Sequence, residues 1–195
     1  MTHVAYDPNR PWLGGNTKGT HWGTYMPLLW DWIIDRFDPR DMVDVGCGEG
    51  ELMLYFFKKG IIVYGVEGLE ENKDNCPGEI RDSVYIHDYT LGECPPINVD
   101  VVISCEFVEH VEEKYIKNYL PQFLACNYLI FTHAVPNQCG HHHVHCQAEE
   151  YWIDLMVSNG LVLMQEETNI ARSVNEGRLG FWKTILIFEN KNYAE

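Results

Sequence analysis

Positive charge is scarce in this 195-residue chain: 14 lysines and arginines stand against 29 aspartates and glutamates, for a formal net charge of -15. Such a chain repels phosphate backbones and lacks the basic face of a nucleic-acid binder, so a small-molecule partner is expected. Long hydrophobic runs are missing as well. The longest, such as VDVVIS and NYLIFT, are strand-sized, well short of the roughly 20 residues that span a bilayer. The opening MTHVAYDPNRPW has no apolar signal core. A cytoplasmic location without a membrane partner is therefore expected. Paired cysteine motifs are also absent. Cys47, Cys76, Cys94, Cys105, Cys126, Cys139 and Cys146 include no CxxC, and an odd count suits no closed disulfide framework, so reduced thiols are expected.

What remains is ordinary for one globular domain, with 46% hydrophobic and 22% charged residues. Two periodicities alternate along it. In TYMPLLWDWIIDRF the apolar residues Met26, Leu29, Trp30, Ile33, Ile34 and Phe37 follow the i, i+3, i+4 rule of a helix face. MVDV, a glycine turn, the helical EGELMLYFFKKG and the β-rich IIVYGVE form a βαβ unit. The alternation continues through SVYIHD, VDVVIS, a helix with Tyr115, Ile116, Tyr119, Leu120, Phe123 and Leu124 on one face, YLIFT, and the helix AEEYWIDLMVSNG. LVLMQ and TILIFE close the chain as strands joined by a polar stretch. Strands written as continuous apolar runs are buried on both faces, which predicts an α/β, doubly wound, mostly parallel sheet.

In such sheets ligands sit beyond the carboxyl ends of the strands. After the first strand, VDVGCGEGEL alternates Gly46, Gly48 and Gly50, which lets the backbone turn and approach a ligand at a helix start. The dinucleotide fingerprint would need glycine where Glu51 stands. Glu49 and Glu51 beside that turn would repel a pyrophosphate, so a ligand with a neutral or positive group fits better. After the second strand Glu67 lies nineteen residues beyond Gly48, the spacing at which an acid takes a ribose diol. After the third, Asp88 and Tyr89 are placed to meet an adenine ring.

In sequence order VDVGCGEG, GVEG, HDYT and VDVVISCEFVEHV resemble the class I S-adenosylmethionine (SAM)-dependent methyltransferases, from about Tyr25 to the C-terminus. The resemblance implies one domain over residues 1–195. It implies a Rossmann-like seven-stranded sheet, mostly parallel with the last strand antiparallel, and SAM as cofactor. It places the methionine part near Asp44, Gly46 and Gly48, the ribose on Glu67 and the adenine near Asp88 and Tyr89, with Cys47, Gly50, Gly68 and Cys105 completing the lining. The segment 1–24, including GGNTKGTHWGTY, is expected to cap the pocket.

Two further clusters bear on chemistry. If CEFVEHV is helical, Glu106, Glu109 and His110 share a face. Two carboxylates and an imidazole make a platform that favours Mg or Mn over zinc; the alternative use is to cap the helix and line the pocket. After the fifth strand, QCGHHHVHC packs four histidines and two cysteines into nine residues. The pair of features is similar to the Glu-x-x-Glu-His motif of ubiquinone-biosynthesis O-methyltransferases and to the small-RNA 2′-O-methyltransferases, which add a histidine after strand five. Counting back from EEYW selects His142 as that histidine, with His143 and His145 next. Two rival uses stand beside it. Cys139 and Cys146 could belong to a structural zinc site, although no second pair of ligands has the usual spacing. Alternatively His110 or His143 acts as a general base with no metal.

The expected activity is methylation of a hydroxyl on a small molecule such as a sugar or catechol. The alternatives are 2′-O-methylation of an RNA terminus, against which the charge argues, and a non-catalytic SAM- or metal-binding protein. Trp12 and Trp22 are candidates for the pocket wall, while Trp152 is expected in the core.

Overall fold

A computed structural model describes residues 4–17, 25–174 and 181–193. The chain begins with a hairpin, β1 (Val4–Asp7) and β2 (Arg10–Thr17), which forms a two-stranded sheet of its own. Its turn is held by Asp7, whose carboxylate accepts from the Asn9 backbone N–H and the Arg10 guanidinium, both at 2.8 Å.

The main sheet has seven strands. They are β3 (Asp41–Val45), β4 (Ile62–Glu67), β5 (Val84–Ile86), β6 (Val99–Ser104), β7 (Cys126–Phe131), β8 (Val162–Leu163) and β9 (Leu186–Glu189). Their spatial order is β5-β4-β3-β6-β7-β9-β8, and β9 runs antiparallel to both neighbours. The seven-stranded, mostly parallel arrangement with an antiparallel last strand is therefore as expected.

Alternate residues of each strand serve two cores, which is why the strands read as unbroken apolar runs. On one face Met42, Val101, Ile103 and Ile187 meet α1 (Pro27–Phe37), α2 (Glu51–Lys58) and α7 (Gln165–Val174). On the other, Val43, Val45, Val102, Leu129 and Phe188 meet α5 (Ile116–Leu124) and α6 (Glu149–Ser158). Each fully buried Leu, Ile or Phe contributes roughly 1.5–3 kcal/mol. Two short helices, α3 (Glu70–Asn75) and α4 (Gly78–Arg81), lead into β5. Trp152 is fully buried, as expected.

Three elements differ from the sequence expectations. The hairpin has no clean alternation to announce it, because Pro11, Gly14 and Gly15 interrupt β2. The polar stretch after β8 contains α7, whose buried positions are the small residues Thr168 and Ala171. After β6 the chain does not enter a helix: Glu106 takes a left-handed conformation (φ 53°), and a single 3-10 turn covers Val108–His110. No helix among the described residues is long and apolar enough to cross a membrane.

Candidate active site

The carboxyl ends of β3, β4, β5 and β6 open into one cavity of about 1130 Å³, ample for a cofactor and a small second ligand. Its floor is the turn after β3. Gly46 and Gly48 both have positive φ (79° and 55°), a region open to glycine without penalty. A Cβ on Gly46 would strike the ring of Phe107, whereas one on Gly48 would meet no protein atom, so the space beside Gly48 is available to a ligand. Gly50 differs. It does not line the cavity, and a Cβ there would strike Ile80 and approach the Cys76 thiol. The third glycine, grouped with the cofactor contacts from sequence, instead lets α2 start close against α4.

Glu67 is buried, and its two oxygens accept from the backbone N–H groups of Gly48 (2.9 Å) and Leu69 (2.8 Å). The Asn72 side chain and the Gly68 backbone N–H also donate toward this carboxylate, so it is a firmly fixed acceptor at the end of β4. Burial raises its pKa, opposed by those N–H donors. Asp44, also buried, is pushed up to about 7 by burial and by the nearby Glu67 charge. Two buried acids at one end of a cavity favour a cationic ligand group, which would relieve both.

At the β5 end, Asp88 Oδ1 accepts from the Thr90 N–H (2.8 Å) and hydroxyl (2.7 Å). Tyr89 lines the cavity, but most of its ring is buried against His87, Phe107 and Tyr119. Cys47, Gly68 and Cys105 also line the cavity, and burial drives both thiols well up, leaving them protonated and neutral. From the hairpin come Trp12, Leu13, Gly14 and Gly15. Residues 18–24 of the expected cap, Trp22 among them, lie outside the described residues.

The acid and histidine cluster forms without a helix. Ligand atoms of Glu109, His110 and His143 lie within 4.8 Å of one another. Glu109 is fully buried, and neither of its oxygens receives a hydrogen bond. Burial and the adjacent Glu106 raise its pKa well above the carboxylate range. Glu106 is raised to about 7, chiefly by burial, and is anchored by Thr132 at the end of β7, whose hydroxyl donates to Oε1 (3.1 Å) and accepts from the Glu106 N–H (2.9 Å). Burial and the neighbouring His143 lower His110 to about 4, so its ring is neutral at neutral pH.

The loop histidine brought to this cluster is His143, not His142. Two contacts set the loop's register: the N–H groups of Val144 and His145 both donate to the Glu109 carbonyl, at 3.0 and 3.1 Å. A third aims the ring, because the Gln138 carbonyl accepts from Nδ1–H of His143 (3.2 Å), leaving Nε2 with its lone pair. Gly140 makes room, since a Cβ there would fall within the His143 ring. His142, in a left-handed conformation (φ 46°), lines neither cavity nor cluster. His145 is buried against Tyr151 and Trp152. Cys139 is exposed and Cys146 partly buried, and neither joins a metal-type cluster among the described residues. Thr132 and Gly140 were missed from sequence; the only signal for Gly140 is a lone glycine before a histidine run.

Residues 43–124 match the sequence family described as a methyltransferase domain. Among solved structures the chain is similar to a TehB-like SAM-dependent methyltransferase from Corynebacterium glutamicum, with 16% identity and TM-score 0.60 over 84% of this chain and 88% of that one. It is likewise similar to magnesium protoporphyrin IX methyltransferase from Synechocystis with bound S-adenosylhomocysteine (SAH), with 15% identity and TM-score 0.60 over 83% and 78% of the two chains. The domain match spans less than half of the chain, and the structural likenesses show a fold shared with SAM-dependent methyltransferases. The same fold also relates the chain to the (4+2)-cyclase SpnF, with 13% identity and TM-score 0.60 over 90% and 85% of the chains, so architecture alone does not fix the reaction. No curated protein matches the chain by sequence.

Proposed function

We propose that the protein is a SAM-dependent methyltransferase that transfers the methyl group to a hydroxyl oxygen of a small molecule carrying two adjacent oxygens, such as a catechol or sugar, beside a divalent metal. The observation that carries this reading is the buried Glu109 carboxylate, which no donor satisfies, gathered with neutral His110 and with His143. So deeply buried a carboxyl group keeps its proton when no counter-charge is near, and a hard cation with mixed oxygen and nitrogen ligands would displace that proton and pair with the charge. The residues therefore fit Mg or Mn. Glu109, His110 and His143 would hold the ion, with Glu106 adjoining, and when bound it would supply Lewis-acid lowering of the hydroxyl pKa.

The protein's own residues do the remaining work. On this reading Gly46, Gly48, Asp44 and Cys105 seat the methionine part of SAM, Glu67 takes the ribose, and Asp88 and Tyr89 border the adenine. The acceptor oxygen must approach the methyl carbon in line with the carbon–sulfur bond, and the cavity walls exclude water while it does so. As the new C–O bond forms, the C–S electron pair stays on sulfur, giving SAH, and the hydroxyl proton leaves. His110, kept neutral by burial, would hold the ion, so Glu106 would receive the proton. A metal-free reaction with a histidine base uses the same neutral ring.

The test is calorimetric titration with SAH, followed by turnover assays on catechols, sugars and a short RNA, each with Mn and with chelator. SAH binding unaffected by chelator, with Mn-dependent turnover of a small diol, is the expected result. Turnover indifferent to chelator would replace the metal with the histidine base. Absence of SAH binding would overturn the reading altogether.

A further inference from the structure

The hairpin does more than cover the cavity. Strand β2 touches both ends of it. At one end the Trp12 indole N–H donates to Asp88 Oδ2 at 3.0 Å, so that with the two Thr90 bonds to Oδ1 the carboxylate is fixed through both oxygens. Next to it, Leu13 packs against Leu69 and sits directly over Gly68, where a Cβ would come within 2.5 Å of its Cδ2. At the other end the Pro11 carbonyl bonds to His141 Nε2 at 2.8 Å. Gly15 lies so close that its Cβ would stand 3.2 Å from His141 Cδ2 and 3.6 Å from His110 Cε1. The hairpin forms a sheet separate from the seven-stranded one, and among the described residues these side-chain and loop contacts attach it to the rest of the molecule.

We propose that Trp12 is a cofactor-positioning residue: it orients Asp88 and closes the adenosine end of the cavity, and His141 is the second anchor that keeps its strand seated. This rests on the SAM reading given above. The consequence is that adenosine binding and the histidine-rich loop are coupled through β2, each favouring the seated strand. Such coupling is reciprocal.

The experiment measures SAH and 5′-methylthioadenosine binding by calorimetry for the unaltered protein, Trp12→Phe, His141→Phe and the double variant. The second ligand has the adenosine but not the amino-acid part. Trp12→Phe keeps an aromatic face and removes the donor to a charged acceptor, so both ligands should weaken by about tenfold and by equal factors. His141→Phe, which leaves Trp12 intact, should also weaken SAH several-fold. The double variant should lose less than the product of the two. Ligand-free melting temperatures should stay close to that of the unaltered protein, since neither residue belongs to the two main cores.

Unchanged affinity in Trp12→Phe would overturn the proposal, as would a loss confined to SAH, which would move Trp12's action to the methionine part. Strictly multiplicative losses would overturn the coupling. If the unaltered protein bound neither ligand, the cofactor reading itself would fall; binding by all four proteins alike would remove the roles given to Trp12 and His141 and leave that reading standing.

Discussion

The two ends of the cavity are built differently. The end proposed for the cofactor is assembled from residues that follow their own strands directly: Gly46 and Gly48 after β3, Glu67 closing β4, Asp88 just beyond β5. Much of its holding is done by backbone, as in the Gly48 and Leu69 N–H groups that fix Glu67. The histidine end joins Glu109 and His110 to His143, more than thirty residues later in the chain. Its geometry depends on the loop's grip on the Glu109 carbonyl and on the room left by Gly140. A site made by local turns is robust in pattern, whereas a site made by a loop folded back is set by a few long-range contacts.

The sharpest way to break the first end alone is Gly48→Val. A β-branched residue at φ 55° is strained and its side chain would enter the ligand's space. SAH affinity should fall by roughly a hundredfold or more, while Mn binding at the histidine end persists; calorimetry with each ligand checks both. Undiminished SAH affinity in a folded variant would remove the glycine turn from the cofactor site.

A smaller effect should appear in stability. Because Asp44 is raised to about 7 in the folded protein, it is protonated in folded and unfolded chains alike below about pH 4. Between about pH 4 and 7 the unfolded chain ionises first, so the ligand-free protein should lose stability across that window and level off above it. Asp44→Asn should remove this residue's share of the slope, leaving that of Glu67, Glu106 and Glu109, and be the more stable protein at pH 8 by roughly 2–4 kcal/mol. Denaturant unfolding at pH 4 and pH 8 measures it, and equal stabilities at pH 8 would contradict the assigned burial cost.

The same contrast explains what was legible in the sequence. The strands were plain because each alternates its residues between two apolar layers, as Met42 and Val43 do. The glycine turn and Glu67 were found because their spacing is a property of one βαβ unit. By contrast, α7 hides behind QEETNIARSV, in which small and polar residues occupy the buried face. Glu106, Glu109 and His110 do not share a helix face, since the left-handed Glu106 breaks the helix there, and it is Glu109 and His110 that gather with His143. Choosing His142 over His143 from a count failed for a related reason. Neighbouring loop residues point in different directions, and only the hydrogen bonds to Glu109 and Gln138 decide which ring faces inward.

Mn binding by SAH-saturated protein, followed by calorimetry in the unaltered chain and in His143→Ala and His142→Ala, tests the account most directly. The account predicts one Mn site in the unaltered protein, weakened at least about tenfold in His143→Ala, as expected on loss of one ligand, and unchanged in His142→Ala. No Mn binding in the unaltered protein, or a loss in His142→Ala with none in His143→Ala, would contradict it.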